Sequence, residues 1–153
     1  SYLSQNSVLN NKVILVNDED EIVYFDLELK EVLGIHPFPI DDIFKLKINY
    51  IYESNMYFHI PDGRLYAVSF DKSGVKLKWN LDFNFPTEWL SAKNGLLNIL
   101  DAESNKSITI SALDGSIASQ QYLIWDPQDV YIKNSNIFSI GDGNIYSQSQ
   151  GIE

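Results

Sequence analysis

Carboxylates are the residues with the most chemistry to offer in this sequence, and they cluster. Asn17-Asp18-Glu19-Asp20-Glu21 is the densest run, and Asp41-Asp42 and the pair Asp101 and Glu103 follow it. Runs of this kind hold a hard cation, work in pairs as acid and base, or meet a basic surface. A calcium loop of the EF-hand kind needs alternating Asp positions, a glycine and a later Glu, and the Asp18 run lacks the glycine. Glycosidic cleavage needs two carboxylates at a set separation in space, which spacing along a chain does not reveal. Asp41, Asp42, Asp82, Glu88, Asp101 and Glu103 are all available for it, and none is singled out. The ordinary use of such a run is a solvated hairpin tip; the functional use is an acidic finger that touches a protein. The candidate partner-binding set is therefore Asp18, Glu19, Asp20, Glu21, Asp41, Asp42, Asp101 and Glu103.

Other catalytic constellations are missing from the sequence. The histidines, His36 before Pro37 and His59 within an apolar run, have no His-Glu-x-x-His spacing, so a zinc site is not expected. Cysteine is absent, which removes thiolate ligands, disulfides and cysteine nucleophiles together. No Gly-x-Ser-x-Gly elbow and no Gly-x-x-x-x-Gly-Lys phosphate loop occurs. Asn105-Lys106-Ser107 matches a glycosylation acceptor, a pattern short enough to arise by chance. The expectation is a protein that is not an enzyme and takes no metal or cofactor.

Charge narrows the partners. Eleven Lys and Arg against 21 Asp and Glu give a net charge of −10, and Arg64 is the sole arginine. A field of that sign repels phosphate backbones and anionic lipid, whose binding needs clustered cations. Nucleic acid and membrane surfaces are thus not expected partners, whereas a basic protein is. No run approaches the ~20 apolar residues of a membrane span. Ser1-Tyr2-Leu3-Ser4-Gln5-Asn6 lacks the basic and apolar regions of a signal peptide, and a cytoplasmic location is expected.

The elements that must position these residues are short strands in a repeating order. Ile48–Tyr52, Met56–Ile60, Arg64–Phe70 and Val75–Trp79 are rich in β-formers, and Glu53-Ser54-Asn55, Pro61-Asp62-Gly63 and Asp71–Gly74 separate them. Asp129–Lys133, Ile137–Ile140 and Asn144–Gln148 repeat the pattern around Gly141-Asp142-Gly143. A third copy spans Glu88–Ser91, Leu96–Leu100, Ser107–Ser111 and Ser116–Gln120, with Asp114-Gly115 before its last strand. A first copy holds Val13–Val16, Ile22–Phe25 and Glu31–Gly34. Asp-Gly supplies the positive φ that tight hairpins demand. Runs such as Val13–Val16 have the unbroken apolar character of central strands buried on both faces. No amphipathic helix is predicted; Asp41–Lys47 forms at most one turn, and Pro37, Pro39, Pro86 and Pro127 mark connections between copies.

The expected fold is all-β, a single domain over 1–153 with repeats near 1–40, 48–86, 88–127 and 129–153. A repeat of about 40 residues with three or four strands has the size of one propeller blade. Gly63-Arg64-Leu65-Tyr66-Ala67-Val68, followed by Gly74 and Trp79, resembles the repeat of quinoprotein-like β-propellers, of the PQQ-like and WD-like type. Gly143-Asn144-Ile145-Tyr146 repeats part of that motif, with Ser147 in place of alanine. The resemblance implies a small propeller-like fold and no quinone site. Four copies can close into a small ring, stack as an open row, or form part of a longer propeller. The function expected is a non-enzymatic binding module, an acidic immunity or inhibitor protein that plugs the active site of a basic partner such as a bacterial toxin nuclease. The alternatives are a segment of a larger propeller scaffold, or a carbohydrate-active hydrolase or lyase with carboxylates in a central funnel.

Overall fold

The computed structural model describes residues 8–9, 11–41, 43, 45–71, 73–123, 129–134 and 136–150. Among them the regular structure is entirely strand, arranged in four sheets that each arise from one contiguous stretch of chain. The first sheet orders β1 (Val8–Leu9), β2 (Lys12–Val16), β3 (Glu21–Asp26) and β4 (Glu31–Pro37). The second orders β5 (Tyr50–Tyr52), β6 (Asn55–Ile60), β7 (Arg64–Asp71) and β8 (Gly74–Asp82). The third holds β9 (Thr87–Lys93), β10 (Leu96–Asp101), β11 (Lys106–Ser111) and β12 (Ile117–Tyr122). The last has three strands, β13 (Asp129–Lys133), β14 (Asn136–Gly141) and β15 (Asn144–Ser149). Sequence neighbours are sheet neighbours throughout, as hairpin connections require.

Strand composition follows rank within the sheet. The second and third strands of the first three sheets carry consecutive buried residues, as in Met56-Tyr57-Phe58 and Leu97–Asp101. Strands covered on both faces lose polar–apolar alternation. The fourth strands β4, β8 and β12 are mostly exposed. The β4 strand extends through His36 to Pro37, where the sequence suggested a loop. An edge strand admits proline because one side of its backbone has no ladder bond to lose.

The chain divides into two compact units. One comprises residues 1–59 and 65–80, the other residues 60–64 and 81–153. In the first unit Phe38, from the connection after β4, sits edge-on to Phe58 with ring centroids 4.8 Å apart and lies 6.0 Å from Tyr66. Ile43 and Leu46 of the same connection are buried too, so this irregular segment is part of the core. In the second unit Leu100, Leu123 and Ile137 form a buried cluster, with Leu90, Val130 and Ile132 packed against it. Each such fully buried aliphatic side chain contributes roughly 1.5–3 kcal/mol relative to exposure.

The hairpin tips follow their chemistry. Gly63, Gly115 and Gly143, the glycines of the three Asp-Gly turns, have φ of 109°, 76° and 75°. The Asn94-Gly95 turn takes φ of 52° and 76°, left-handed at both positions, as a two-residue hairpin requires.

Candidate functional site

The Asp18 run is the tip of the β2–β3 hairpin, and Asn17 organises it. The Asn17 side-chain oxygen accepts the Glu19 and Glu21 amides, each at 2.9 Å, and its side-chain nitrogen donates to Glu21 Oε1 at 3.0 Å. Asparagine does this readily because its short amide imitates a backbone turn. Asp20 takes φ of 58°, and its carboxylate reaches across the first unit to accept the amides of Leu46 at 2.8 Å and Lys45 at 3.2 Å. Asp20 and Glu21 are half-buried and engaged, whereas Asp18 and Glu19 are exposed. Among the described residues the Asp18 and Glu19 carboxylates accept no hydrogen bond. Within this hairpin the Asp20 and Glu21 carboxylates are thus committed to the fold, and those of Asp18 and Glu19 face solvent.

The second acidic pair behaves differently. Asp101 ends β10, is 6% exposed, and accepts the amides of Glu103 at 3.1 Å and Ser104 at 3.3 Å and the Ser104 hydroxyl at 2.5 Å. Its carboxylate satisfies backbone donors that the turn would otherwise leave unpaired. Glu103 is exposed. Asp41 is exposed as well, and Asp42 lies outside the described residues. Asp18 to Glu21 and Asp41 belong to the first unit, Asp101 and Glu103 to the second.

Turn duty accounts for much of the remaining acidity. Asp26 is buried at the end of β3, pairs with Lys12, and accepts the Glu28 and Leu29 amides at 2.8 and 2.9 Å. The hydrogen bond from Lys12, then that from Leu29, hold the Asp26 carboxyl below the usual range. Asp71 is lowered first by the Ser73 hydroxyl and then by the Ser73 amide, and Asp114 likewise by those of Ser116. Arg64 forks onto Asp62, two residues before it, with Nη2 2.8 Å from Oδ2. For Asp71, Asp101 and Asp114 the sequence signal is a Ser two or three residues later, which marks a side-chain-capped turn; Asp26 and Asp62 cap their turns without it.

The other candidates resolve into local packing. The imidazole of His36 lies over the Gly34 backbone on β4. His59 is half-buried in β6, with its amide donating to Asn49 Oδ1 at 2.8 Å. Tyr52, Tyr50, Tyr57 and Trp79 form a run of ring contacts across the second sheet, with centroids 5.7 to 5.9 Å apart. Burial pushes the Tyr57 hydroxyl up to about 12. Among the described residues no three His, Asp or Glu side chains gather as a metal site. No helix among them is long and apolar enough to cross a membrane.

No family model matches the sequence, and no curated protein matches it either. Solved structures do share the fold. BamB from Moraxella catarrhalis, a PQQ-like β-propeller, superposes with a TM-score of 0.57 at 11% identity, over 92% of this chain and 41% of BamB. The computationally designed Ika4 protein gives 0.61 at 13% identity, over 94% of this chain and 88% of Ika4. The designed Ika8 protein gives 0.59 at 12% identity, over 93% and 44%. The chain thus spans about two fifths of BamB's length. At these identities the likeness concerns architecture alone: the chain has an all-β, small propeller-like fold.

Proposed function

We propose that this protein is a non-enzymatic binding module for a basic protein. In its finer form the proposal is an inhibitor of the immunity type, whose exposed carboxylates occupy the cationic active site of a toxin such as a nuclease. The observation that carries it is the Asp18-Glu19 pair, exposed on a hairpin whose backbone Asn17 already satisfies, in a chain of net charge −10. Carboxylates released from turn duty on a pre-organised loop lose little freedom on binding. The surrounding negative field speeds encounter with a cationic surface. Capture from a lysate of the source organism, on immobilised wild type and on the D18K/E19K variant, tests the proposal. A basic protein retained by wild type, released by high salt and absent from the variant supports it. The same proteins on both columns overturn it.

A scaffold role as one part of a longer row of blades is the second reading, favoured by β15. Among the described residues that strand ends a three-stranded sheet and leaves Ile145 and Tyr146 exposed, whereas the third strands β3, β7 and β11 are flanked by a fourth. A peptide with the β12 sequence should slow hydrogen exchange along β15 if that edge receives a strand; unchanged exchange removes this reading.

A further inference from the structure

Two hairpins of the second unit present the same dipeptide to one cavity. Lys93 ends β9 and Lys133 ends β13, each is followed by an asparagine of the turn, Asn94 and Asn134, and both pairs line a cavity of about 390 Å³. The positions are equivalent in register: Lys93 pairs with Leu96 and Lys133 with Asn136 across their turns. Asn94 and Asn134 have φ of 52° and 50°, so the turn explains asparagine, which tolerates this region. It does not explain lysine. At the same register Tyr52 precedes the β5–β6 turn and Leu9 the β1–β2 turn. Lysine occurs there only where the cavity is.

The rest of the lining is polar and ordered. Asn98 of β10 is buried; its side-chain oxygen accepts Thr109 Oγ1 and Gln150 Nε2, each at 2.8 Å, and its nitrogen donates to Ser91 Oγ at 3.3 Å. A buried network satisfied in this way holds its members in fixed orientation. Ala92, Leu96 and Ile132 add an aliphatic wall, and among the described residues no carboxylate lines the cavity. Among the described residues neither lysine forms an ion pair, in a chain with 21 acidic and 11 basic residues.

We infer that this cavity binds a small hydroxylated monocarboxylate, a sugar acid. Its volume lies within the usual range for small-ligand sites. Amide and hydroxyl side chains both donate and accept, as do the hydroxyl groups of a sugar ring, and two ammonium groups complement one carboxylate. Phosphate sites are characteristically built on successive backbone N–H groups at a helix start or a nest. Among the described residues no helix start lines this cavity, and its edge strands β9 and β13 engage one side of their backbone in sheet ladders. This inference is independent of the protein-binding proposal.

Calorimetry tests it with D-glucuronate as probe and D-glucose and D-glucose 6-phosphate as controls, on wild type and K93Q/K133Q. Both lysines are exposed, so the variant should keep the wild-type melting temperature. The expected result is saturable one-to-one binding of glucuronate to wild type, weakened about tenfold or more in the variant, with glucose weaker by a similar factor. The inference is overturned by the absence of saturable glucuronate binding, by equal affinity in wild type and variant, or by tighter binding of glucose or glucose 6-phosphate.

Discussion

The β2–β3 and β10–β11 hairpins join the same ranks of strand, second to third, and both are crowded with carboxylates. They use them in opposite ways. In the first, the neutral Asn17 takes the turn amides, and Asp18 and Glu19 remain in solvent. In the second, Asp101 takes the turn amides itself and is buried in doing so. The residue at the start of the turn decides whether the charges after it hold the backbone or are free to meet a partner. The same division runs through the chain, since Asp26, Asp62, Asp71, Asp82 and Asp114 all accept nearby amides. A net charge of −10 therefore overstates the acidic surface that is uncommitted to the fold.

Hairpins of that rank in the other two sheets give the largest expected effect. Gly63 and Gly143 both follow an Asp at a tip, but a Cβ on Gly63 would lie 2.2 Å from the Phe85 carbonyl oxygen, and one on Gly143 meets nothing within 4 Å. Gly63→Ala should cost about 3 kcal/mol or more, from strain and overpacking together. Gly143→Ala should cost about 1 kcal/mol from its positive φ alone. Equal losses in urea denaturation would break the claim that like turns differ by what surrounds them.

Asp101→Ala should lower stability by about 2 kcal/mol, because it strands several turn donors. Asp20→Ala, which removes two acceptor contacts from a half-buried site, should cost about 1 kcal/mol. Asp18→Ala should stay within about 0.5 kcal/mol of wild type. A reversed order for Asp101 and Asp18 would undo the comparison.

Acid and alkali sharpen it further. Asp26, Asp71 and Asp114 have folded-state carboxyls below the ordinary 3.8, so their stabilisation is present above that value and lost as pH falls through the lowered ones. Tyr57 is raised from 10.0 to about 12, so its contribution is present below pH 10 and lost on the way to 12. Melting temperature against pH should therefore fall at both ends. Asp26→Asn, Asp71→Asn and Asp114→Asn combined should flatten the acid limb, and Tyr57→Phe the alkaline one.

The strands and their tips were legible because the causes are local. Asp142-Gly143 or Met56-Tyr57-Phe58 announces a turn or a central strand within a few residues. Acidic roles were less legible. Asp20 and Asp18 look alike in the chain, and only Asp20 meets Leu46, 26 residues on, once Phe38, Ile43 and Leu46 have folded into the core. Asp101 gave a local signal, Asp-x-x-Ser, that is readable as a capped turn but hidden by the weight its charge carries. The paired lysines went unread because each is unremarkable alone. Their meaning lies in equivalent positions one repeat apart, on sheets whose common cavity only the fold reveals.

The most direct test of the central claim is stopped-flow association of the captured basic partner with wild type, D18K/E19K and D20N at low and high salt. D18K/E19K should associate about tenfold or more slowly at low salt, with an unchanged melting temperature and a difference that shrinks as salt rises. D20N should melt lower but associate at nearly the wild-type rate. Equal, salt-independent rates for wild type and D18K/E19K would contradict the account and leave the β2–β3 tip as a solvated turn.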